Sequence, residues 1–529
     1  MSETSAMWDA ATAEAIGATW LLERIAPTGA FGRAARAREA RFRVGDEAAA
    51  RAAIARVAAL AAAMQPDALA TTRAAIARAP DLTDVFVRAT SGAALVDVDF
   101  FEVGRLLDAF AQVATPLRDG ARACVSGELE AFDAEPIAGL RATLEPGRTP
   151  ARGFYLDDVF DGDLACARGV AALAQARFDA ARSRAVARVA AFAGVERVRD
   201  GEFLVMRDAI VGAPPPELHV TRETPTYLLG EIALDDAALG ALTERDAAVA
   251  RVAEAEERVR VRLATHIARA AAACERACDA LGELDALSAR AQFAQDAHAV
   301  VPDIAVDGAY AFVGLRDEPL RAALDARGRT LIPLDFELDA LGVVTGPNMG
   351  GKTVALRTLG FAAACVALGV PVPAGSARVV LVDRIAWLGI GAEPGDDDLL
   401  SSFGGEVVAV RDHLAQLTRR DLVLVDEFAR TTSPREGFAL SVALIETLVE
   451  RGARGLAATH LAGVAIAARV AHYAVGASGA TDYRILRADE GAIPRADALD
   501  IARDLGLDAA LVERARRALE RSDARGDEP

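Results

Sequence analysis

The sequence predicts a multidomain protein in which an all-α core, two long helices and a small β insertion precede an α/β domain. Aromatic residues make up only 5% of the 529 residues. Long alanine-rich stretches that carry Arg and Glu are typical of helices packed through Ala, Leu and Val. Residues 195–234 instead alternate like short strands. From about Val301, apolar runs alternate with helical segments, which indicates a parallel sheet covered by helices.

The composition argues against several classes of protein. No stretch of about 18 apolar residues runs without charge, Gly or Pro, so no membrane-spanning helix is expected, and residues 1–15 lack the order of a signal peptide. Five scattered cysteines without metal-ligand spacing indicate a reducing, cytoplasmic location. The net charge of −18 argues against non-specific coating of nucleic acid, although it leaves room for a local basic patch.

The first half of the chain is predicted to form two helical regions. Residues 1–165 are predicted to form a helical core. Residues 166–300 are predicted to form a pair of long helices, about Asp163–Ala193 and Asp235–Ala299, with a small β-containing tip at about 195–234 between them. A helical domain with an irregular loop is the alternative interpretation of the same pattern.

The second half is predicted to contain the α/β domain at 301–495 and a C-terminal helix-turn-helix at 496–529. A helix over Thr353–Val366 is expected directly after a Gly-rich loop. Strands separated by helices in this way form a parallel sheet. The predicted strands are Leu341–Thr345, Val379–Val382, Leu422–Val425 and Gly455–Thr459.

The Gly-rich loop holds the only lysine and the only asparagine of the chain, Lys352 and Asn348, although the sequence has 59 basic residues. A composition so biased towards Arg keeps a lysine where a compact ammonium on a flexible stem is needed. The backbone N–H groups of this loop are expected to bind phosphates, Lys352 to reach the β and γ oxygens of ATP, and Thr353 to ligate Mg²⁺. The pattern GxxxxGK[ST], between a strand and a helix, is satisfied by Gly346, Pro347, Asn348, Met349, Gly350, Gly351, Lys352 and Thr353.

Two further positions complete the predicted ATP-hydrolysing site. The apolar strand before them ends in Asp426, which is predicted to bind Mg²⁺, and Glu427, which is predicted to orient or deprotonate the attacking water. Two adjacent acids can also be the solvated end of a strand. His460, after the next strand, is a candidate polar sensor, although a lone histidine is usually structural.

These motifs resemble those of the MutS family of ATPases. TGPNMGGKT at Thr345–Thr353 resembles the nucleotide loop of the family, DEFARTTS at Asp426–Ser433 resembles its DEIGRGTS run, and ATH at Ala458–His460 matches its ATH. SSF at Ser401–Phe403 is similar to its STF signature, which implies that Ser401 is offered at a helix N-terminus to the γ-phosphate held by the opposite subunit. The resemblance implies an α/β P-loop ATPase domain of the ABC type behind a helical core and lever helices.

Weaker similarities extend over the rest of the chain. Gly282–Leu287 is similar to the end of the lever helices of the family, and Leu21–Leu22 with Thr28–Arg33 is similar to the entry of its core domain. Ile501–Leu507 resembles its C-terminal helix-turn-helix, which in relatives packs across a dimer. The resemblance therefore covers essentially the whole chain and is strongest from 340 to 465.

The sequence also departs from the family pattern. Because the core-like entry is near residue 20, the mismatch-reading and connector domains are not expected, and neither is a nuclease-like tail after residue 521. Phe100-Phe101-Glu102 fits the letters of the mismatch wedge but falls in the core-like region, so it is interpreted as coincidence. Ala429 and Thr431 replace two glycines, and Leu331-Ile332-Pro333 replaces the aromatic that stacks on adenine, which predicts altered dimer communication and base affinity.

The resemblance implies a homodimeric ATP hydrolase that uses ATP and Mg²⁺, and it leaves the client open. One hypothesis is a clamp that binds DNA, of the mismatch-repair or recombination type but without a mismatch-reading domain. The alternative is an ATP-dependent chaperone that reactivates an adenosylcobalamin-dependent lysine or ornithine aminomutase, which the DEFARTT run and the acidic composition favour. Intact Lys352, Asp426 and Glu427 argue against a non-hydrolysing relative.

Overall fold

The computed structural model divides the chain into two compact units. The first unit comprises Met1–Arg78, Gln112–Leu129 and Cys278–Pro529, and the second comprises Ala79–Ala111 and Glu130–Ala277. The chain is therefore multidomain, as the sequence predicts, while the domain boundaries at 165, 300 and 495 stay predictions. The structure describes residues 7–39, 41–149, 153–192, 194–199, 202–210, 212–346, 351–389, 402–475, 485–488, 499, 503 and 506–523.

Helices dominate the first 300 residues and strands enter mainly after them. Within the described residues, the helices are α1 (Ala10–Ala15), α2 (Ala18–Arg24), α3 (Ala30–Arg38), α4 (Glu47–Ala63), α5 (Pro66–Ala77), α6 (Thr83–Ser91), α7 (Asp97–Gly120), α8 (Ser126–Phe132), α9 (Glu135–Leu144), α10 (Gly162–Ala190), α11 (Asp236–Asp296), α12 (Glu318–Asp325), α13 (Lys352–Ala367), α14 (Ser402–Gln416), α15 (Pro434–Glu450), α16 (Val464–Ala467) and α17 (Ala509–Asp523). The strands are β1 (Arg148–Thr149), β2 (Gly153–Phe154), β3 (Val195–Arg199), β4 (Glu202–Met206), β5 (Leu218–Glu223), β6 (Tyr227–Ile232), β7 (Asp303–Ala305), β8 (Tyr310–Leu315), β9 (Leu334–Leu338), β10 (Leu341–Thr345), β11 (Ser376–Val380), β12 (Arg384–Gly389), β13 (Asp421–Asp426), β14 (Arg454–Ala458), β15 (Ala471–Val475) and β16 (Ile485–Arg487).

The second unit is built on α10 and on the N-terminal part of the 61-residue helix α11. The Asp161 carboxylate caps α10 by accepting a hydrogen bond from the Asp163 amide at 2.8 Å, and small side chains such as Ala181 and Ala185 form its buried face. The two long helices predicted from the sequence are confirmed. No described helix combines the length and the apolar character needed to cross a membrane.

The small β insertion between α10 and α11 is also confirmed. Its four strands are antiparallel and lie in the order β3-β4-β6-β5. Within the stretch 195–234 that was predicted to alternate like strands, β4 covers Glu202–Met206 and β5 covers Leu218–Glu223. One face of this sheet is closed by a small core that consists of Val189, Phe203, Val205, Leu218 and Leu228.

The first unit contains a six-stranded sheet with the order β12-β13-β14-β10-β15-β16. The first five strands are parallel, and β16 runs antiparallel to β15. Residues of β10 and β13 are buried along their whole length, which is why these strands are continuous apolar runs in the sequence. The predicted strands at 341–345 and 422–425 lie in this sheet, and the strand predicted at 455–459 lies in it up to Ala458.

One strand prediction needs correction. The run Val379–Val382 was expected in the parallel sheet, but β11 ends at Val380 and belongs to a separate four-stranded sheet, with the order β7-β11-β8-β9. In that sheet β11 is parallel to β7 and antiparallel to β8. A short apolar run shows that a strand is buried but not in which direction its neighbours run. The single parallel sheet expected after Val301 is therefore wrong for this part.

The N-terminal helices complete the core of the six-stranded sheet. The carbonyl oxygen of Met7 accepts a hydrogen bond from the Ile385 amide of β12 at 2.8 Å, and the Thr12 hydroxyl accepts one from the Trp387 amide at 3.2 Å. Ile16 is only 1% exposed and lies so close to Gly360 of α13 that a Cβ there would be 2.5 Å from its Cγ2. The N-terminal segment therefore packs against the helix that follows the Gly-rich loop.

A buried carboxylate fixes the start of α3 to the C-terminal part of α11. Asp285 is 0% exposed and accepts hydrogen bonds from the amides of Thr28, at 3.0 Å, and Gly29, at 2.6 Å. Gly32 stands against the same carboxylate, and a Cβ there would overlap it. The two segments at 28–33 and 282–287, which carry the weaker family similarity, are thus in direct contact.

Candidate functional site

The Gly-rich loop connects β10 to α13, and two of its glycines have backbone conformations that favour glycine. Gly346 has φ 151°, and a Cβ there would lie 2.6 Å from the carbonyl oxygen of Val475. Gly351 has φ 95° and is the residue before the first turn of α13. Of the predicted loop, Pro347, Asn348, Met349 and Gly350 lie outside the described residues.

The Lys352 side chain turns back into the loop. It is only 4% exposed, and its Nζ donates a hydrogen bond to the carbonyl oxygen of Gly346 at 2.9 Å. The same Nζ lies 3.4 Å from Oε1 of Glu427. The ammonium therefore joins the loop to the end of β13. The ammonium thus contacts two oxygen atoms, and phosphate oxygens of a bound nucleotide can take the place of these partners.

Thr353 and Asp426 meet although 73 residues separate them. The Thr353 hydroxyl, on the first turn of α13, donates a hydrogen bond to Oδ1 of Asp426, at the end of β13, at 3.1 Å. Burial raises the pKa of the Asp426 carboxyl, and the charge of Glu427 raises it further, while the hydrogen bond from Thr353 opposes both. A hydroxyl and a carboxylate oxygen side by side are ligands that Mg²⁺ prefers, and a bound divalent cation would offset the cost of burying this charge.

No group of three or more His, Cys, Asp and Glu side chains within the described part of the chain could hold a metal ion by itself. Mg²⁺ in nucleotide sites is held by one or two protein oxygens, with phosphate and water oxygens as the other ligands. The pair formed by Thr353 and Asp426 fits this kind of site and does not fit an all-protein metal cage.

Glu427 is held in an uncommon backbone conformation next to the lysine. Its φ of 52° lies in the left-handed region, and its amide donates to the Ala458 carbonyl oxygen at 2.9 Å. Arg430 donates to Oε2 at 3.0 Å. Burial acts to raise the pKa of Glu427, but the contacts with Arg430 and Lys352 outweigh it, so the pKa is lowered. The ionised carboxylate can accept a proton or orient a water molecule.

His460 follows β14 at the same edge of the sheet. Its side chain is exposed, and its charge is one of the influences that lower the pKa of Glu427. The preceding residue is fixed by two hydrogen bonds, from the Thr459 amide to the Val344 carbonyl oxygen at 3.1 Å and from the Leu461 amide to the Thr459 hydroxyl at 3.1 Å. The structure therefore brings His460 towards Glu427, while Ser401 lies outside the described residues.

Two residues that the sequence interpretation missed support this edge. Glu406 on α14 accepts a hydrogen bond from the Ala429 amide at 3.0 Å, and Ala429 has φ 60°, in the left-handed region that favours glycine. His472 on β15 contacts the Thr345 hydroxyl through Nε2 at 2.7 Å, directly before the loop, and burial lowers its pKa. Neither residue belongs to a recognisable motif. Their partners lie more than 20 positions away in the sequence, so no local pattern indicates the contacts.

The comparisons with known proteins agree with this arrangement. Residues 342–522 match the family model of MutS domain V. The protein named endonuclease MutS2 from Thermomicrobium roseum is 35% identical over 291 residues, which covers 52% of this chain and 36% of that protein. The protein of the same name from Thermus thermophilus is 36% identical over 247 residues, which covers 45% of this chain and 31% of that protein. The chain thus spans about a third of the length of these curated relatives.

The matched range includes the loop from Gly346 to Thr353, the pair Asp426 and Glu427, and His460. The family resemblance read from the motifs is thereby confirmed, and it is now supported by a match of the whole region as well as by short patterns. Residues 342–522 of this chain are therefore similar to domain V of the MutS family.

Proposed function

We propose that this chain is an ATPase of the MutS type, which binds ATP and Mg²⁺ at the 346–353 loop and hydrolyses the bond between the β- and γ-phosphates of ATP. The observation that carries the proposal is the pair of contacts across the sheet edge. Thr353 lies 3.1 Å from Asp426, and Lys352 lies 3.4 Å from Glu427. A lysine, a hydroxyl and two carboxylates thus lie close together, and groups of these kinds support phosphoryl transfer in other P-loop ATPases.

Each residue has a distinct proposed role. The loop amides from Gly346 to Gly351 and the Lys352 ammonium would hold the phosphates, and Thr353 with Asp426 would hold Mg²⁺. When bound, Mg²⁺ supplies positive charge that stabilises the phosphate oxygens. Glu427 accepts a proton from, or orients, the attacking water, and His460 senses the nucleotide from the neighbouring strand end.

Nucleotide binding tests the first part of the proposal. Lys352→Ala should weaken ATP binding by at least about 100-fold, because a charge-assisted contact and the loop geometry are lost together. Binding is measured by calorimetry with and without Mg²⁺, and far-UV circular dichroism checks that the variant is folded. Lys352→Arg is the matched control for charge, and it should also bind poorly, because the planar guanidinium does not fit the tight loop. Absence of Mg²⁺-dependent ATP binding in the unaltered protein would overturn the proposal.

We further propose that the active form is a homodimer in which Ser401 of one copy completes the site of the other. The support is the SSF motif and the family match at 342–522. Ser401→Ala should lower hydrolysis, and mixing it with Lys352→Ala should restore part of the activity, because one of the two composite sites then has both an intact loop and an intact serine. No gain on mixing at any ratio would contradict a shared site.

The proposed client of the clamp-like conformational change is DNA. Its support is the name endonuclease that the matched relatives carry, and against it stands the net charge of −18, which requires any DNA contact to be local. The test measures binding of duplex and branched DNA at low salt to Glu427→Gln in the presence of ATP, because this variant is expected to bind ATP without hydrolysing it. No binding to any of these DNAs would remove the DNA client and leave the ATPase proposal intact.

The alternative client, an adenosylcobalamin-dependent aminomutase, is favoured by no contact in the structure and by none of the relatives named above. It remains an outcome of the same experiment. If the chain hydrolyses ATP but binds no DNA, recovery of an inactivated lysine or ornithine aminomutase in the presence of ATP is the next measurement.

A further inference from the structure

The first unit contains a cavity that is lined by no residue of the Gly-rich loop. It has a volume of 760 Å³ and is lined by residues of α2, α3, α4 and α11, of the segment between α3 and α4, and of the segment after α13. A volume of about 300–1,000 Å³ is typical of sites for small molecules. All of its lining residues are described, and none takes part in the contacts of Lys352, Asp426 or Glu427.

The cavity lining carries an excess of positive charge in an acidic protein. Five arginines face three carboxylates, whereas acidic residues outnumber basic ones by 77 to 59 in the whole chain. The carboxylates are Glu39, Asp279 and Glu283, and the arginines are Arg36, Arg38, Arg41, Arg56 and Arg290.

Three of the five arginines are paired with carboxylates. Arg290 forms a two-pronged contact with Glu39, Arg38 lies 3.8 Å from the exposed Asp279, and Arg56 contacts Glu128. Arg290 still keeps a buried Nε atom without a hydrogen-bond partner. These pairs fix the guanidinium groups in the wall of the cavity but do not use all of their donors.

The other two arginines, Arg36 and Arg41, form no ion pair with any carboxylate of the described residues. Arg36 donates to the carbonyl oxygen of Ile25 at 3.3 Å, and Arg41 stacks over the Trp8 ring at 4.0 Å. Burial lowers the pKa of Arg36, the neighbouring charge of Arg290 lowers it further, and the charge of Glu39 partly opposes both. Burial likewise lowers the pKa of Arg41. Two half-buried cations that form no ion pair among the described residues favour an anion that binds them.

The rest of the wall is apolar and includes two aromatic rings. Phe31 and Phe42 line the cavity together with Ile25, Leu287 and Leu368. The loop that carries Phe42 is anchored, because the Phe42 amide donates to the Ala367 carbonyl oxygen at the end of α13 at 2.9 Å. A flat ring can pack on such side chains while an anionic group meets the arginines.

We propose that this cavity binds a phosphorylated small molecule with an aromatic body, of the nucleotide class, at a site distinct from the Gly-rich loop. The phosphate contacts Arg36 and Arg41, and the ring packs near Phe31 and Phe42. Arginine is suited to this role because its planar fork binds phosphate through two donors at once.

The experiment uses Lys352→Ala, in which the Gly-rich loop is impaired, so that the second site is measured by itself. Guanosine diphosphate and inorganic pyrophosphate are titrated by calorimetry. Guanosine diphosphate should bind, and more tightly than pyrophosphate, because only the former offers a ring. Adding Arg36→Gln and Arg41→Gln should weaken its binding at least about tenfold, since charged hydrogen bonds are lost. Arg33→Gln, on the exposed side of the same helix and outside the cavity, is the matched control and should leave binding unchanged.

A second variant covers the case in which removal of the arginines unfolds the protein. Ala53→Phe places a ring inside the cavity and keeps every arginine, so it should also abolish binding of guanosine diphosphate. The proposal is overturned if guanosine diphosphate does not bind to Lys352→Ala. It is equally overturned if binding survives both Ala53→Phe and the arginine double variant, or if pyrophosphate binds as tightly. ATP binding to the unaltered loop is a separate measurement, so failure here leaves the proposed ATPase untouched.

Discussion

The six-stranded sheet of the first unit and the four-stranded sheet of the second unit show two ways of using strands. In the larger sheet, β10 and β13 are buried at every position. In the smaller sheet, β4 and β6 alternate between buried and partly exposed residues. A parallel sheet covered on both faces holds its strand ends rigidly, whereas a sheet with one apolar face depends on a small local core.

This difference decides where chemistry can be placed. The candidate site lies at one edge of the larger sheet. There Lys352 contacts Gly346 at 2.9 Å and Glu427 at 3.4 Å, and Asp426 contacts Thr353 at 3.1 Å. The smaller sheet has a core of five buried apolar residues, and the charged groups beside it form ion pairs, such as Arg188 with Glu217 and Arg207 with Glu223. The larger sheet is therefore expected to determine catalysis, and the smaller one only the local stability of residues 195–232.

The largest expected effect separates chemistry from fold at the edge of the larger sheet. Glu427→Gln should lower kcat for ATP hydrolysis by about 10²–10⁴-fold, because the ionised base is replaced by an amide. ATP binding should persist, since Lys352 and Thr353 are unchanged. Single-turnover hydrolysis and calorimetric binding check the two halves of this prediction. Glu436→Gln, an exposed acid on α15, is the matched control, and unchanged hydrolysis by Glu427→Gln would show that another group is the base.

The next effect concerns the packing of the larger sheet itself. Gly455 in β14 has φ 149°, and a Cβ there would overlap the carbonyl oxygen of Val423 in β13. Gly455→Ala should cost about 3–5 kcal/mol in the free energy of unfolding, from overpacking and backbone strain together. The expected result is a lower denaturation midpoint together with loss of ATP binding.

A glycine in the smaller sheet provides the matched comparison. Gly230 lies in β6, and a Cβ there would be 2.8 Å from the carbonyl oxygen of His219 in β5. Gly230→Ala should cost about 1–3 kcal/mol, and the loss should be local. Amide hydrogen exchange should accelerate over residues 195–232 while ATP hydrolysis stays unchanged. If Gly230→Ala abolished ATP binding as Gly455→Ala does, the two sheets would not be energetically separate.

Much of the larger sheet could be predicted from the sequence, because a strand buried on both faces is a continuous apolar run. The runs at 341–345 and 422–425, and the acids that follow the second run, indicated both the strands and the site. The direction of pairing could not be predicted in the same way, and so β11 was placed in the wrong sheet. The predicted run Val379–Val382 is apolar, but β11 itself alternates between exposed and buried residues from Ser376 to Val379.

Contacts between distant parts of the chain were beyond the sequence interpretation. Met7 and Thr12 bind β12 more than 370 positions away, and nothing in the local pattern of residues 7–16 distinguishes this from an ordinary helical start. The contact of Glu406 with the Ala429 amide was missed for the same reason. Motifs identify groups that act on a ligand, whereas the groups that position them are found only when the fold is known.

The smallest expected effect concerns the support behind the loop. Because burial lowers the pKa of His472, the unfolded chain binds more protons than the folded one below the ordinary histidine pKa of about 6.5. The stability due to neutral His472 is therefore fully present above that pH and is lost as the pH falls through the lowered pKa. His472→Gln keeps a polar group beside the Thr345 hydroxyl but cannot titrate. Between about pH 7.5 and 5.5, its denaturation midpoint should fall less steeply than that of the unaltered protein. Equal slopes would show that His472 is not a source of acid sensitivity, and that the larger sheet holds its loop through Thr345 and the glycines alone.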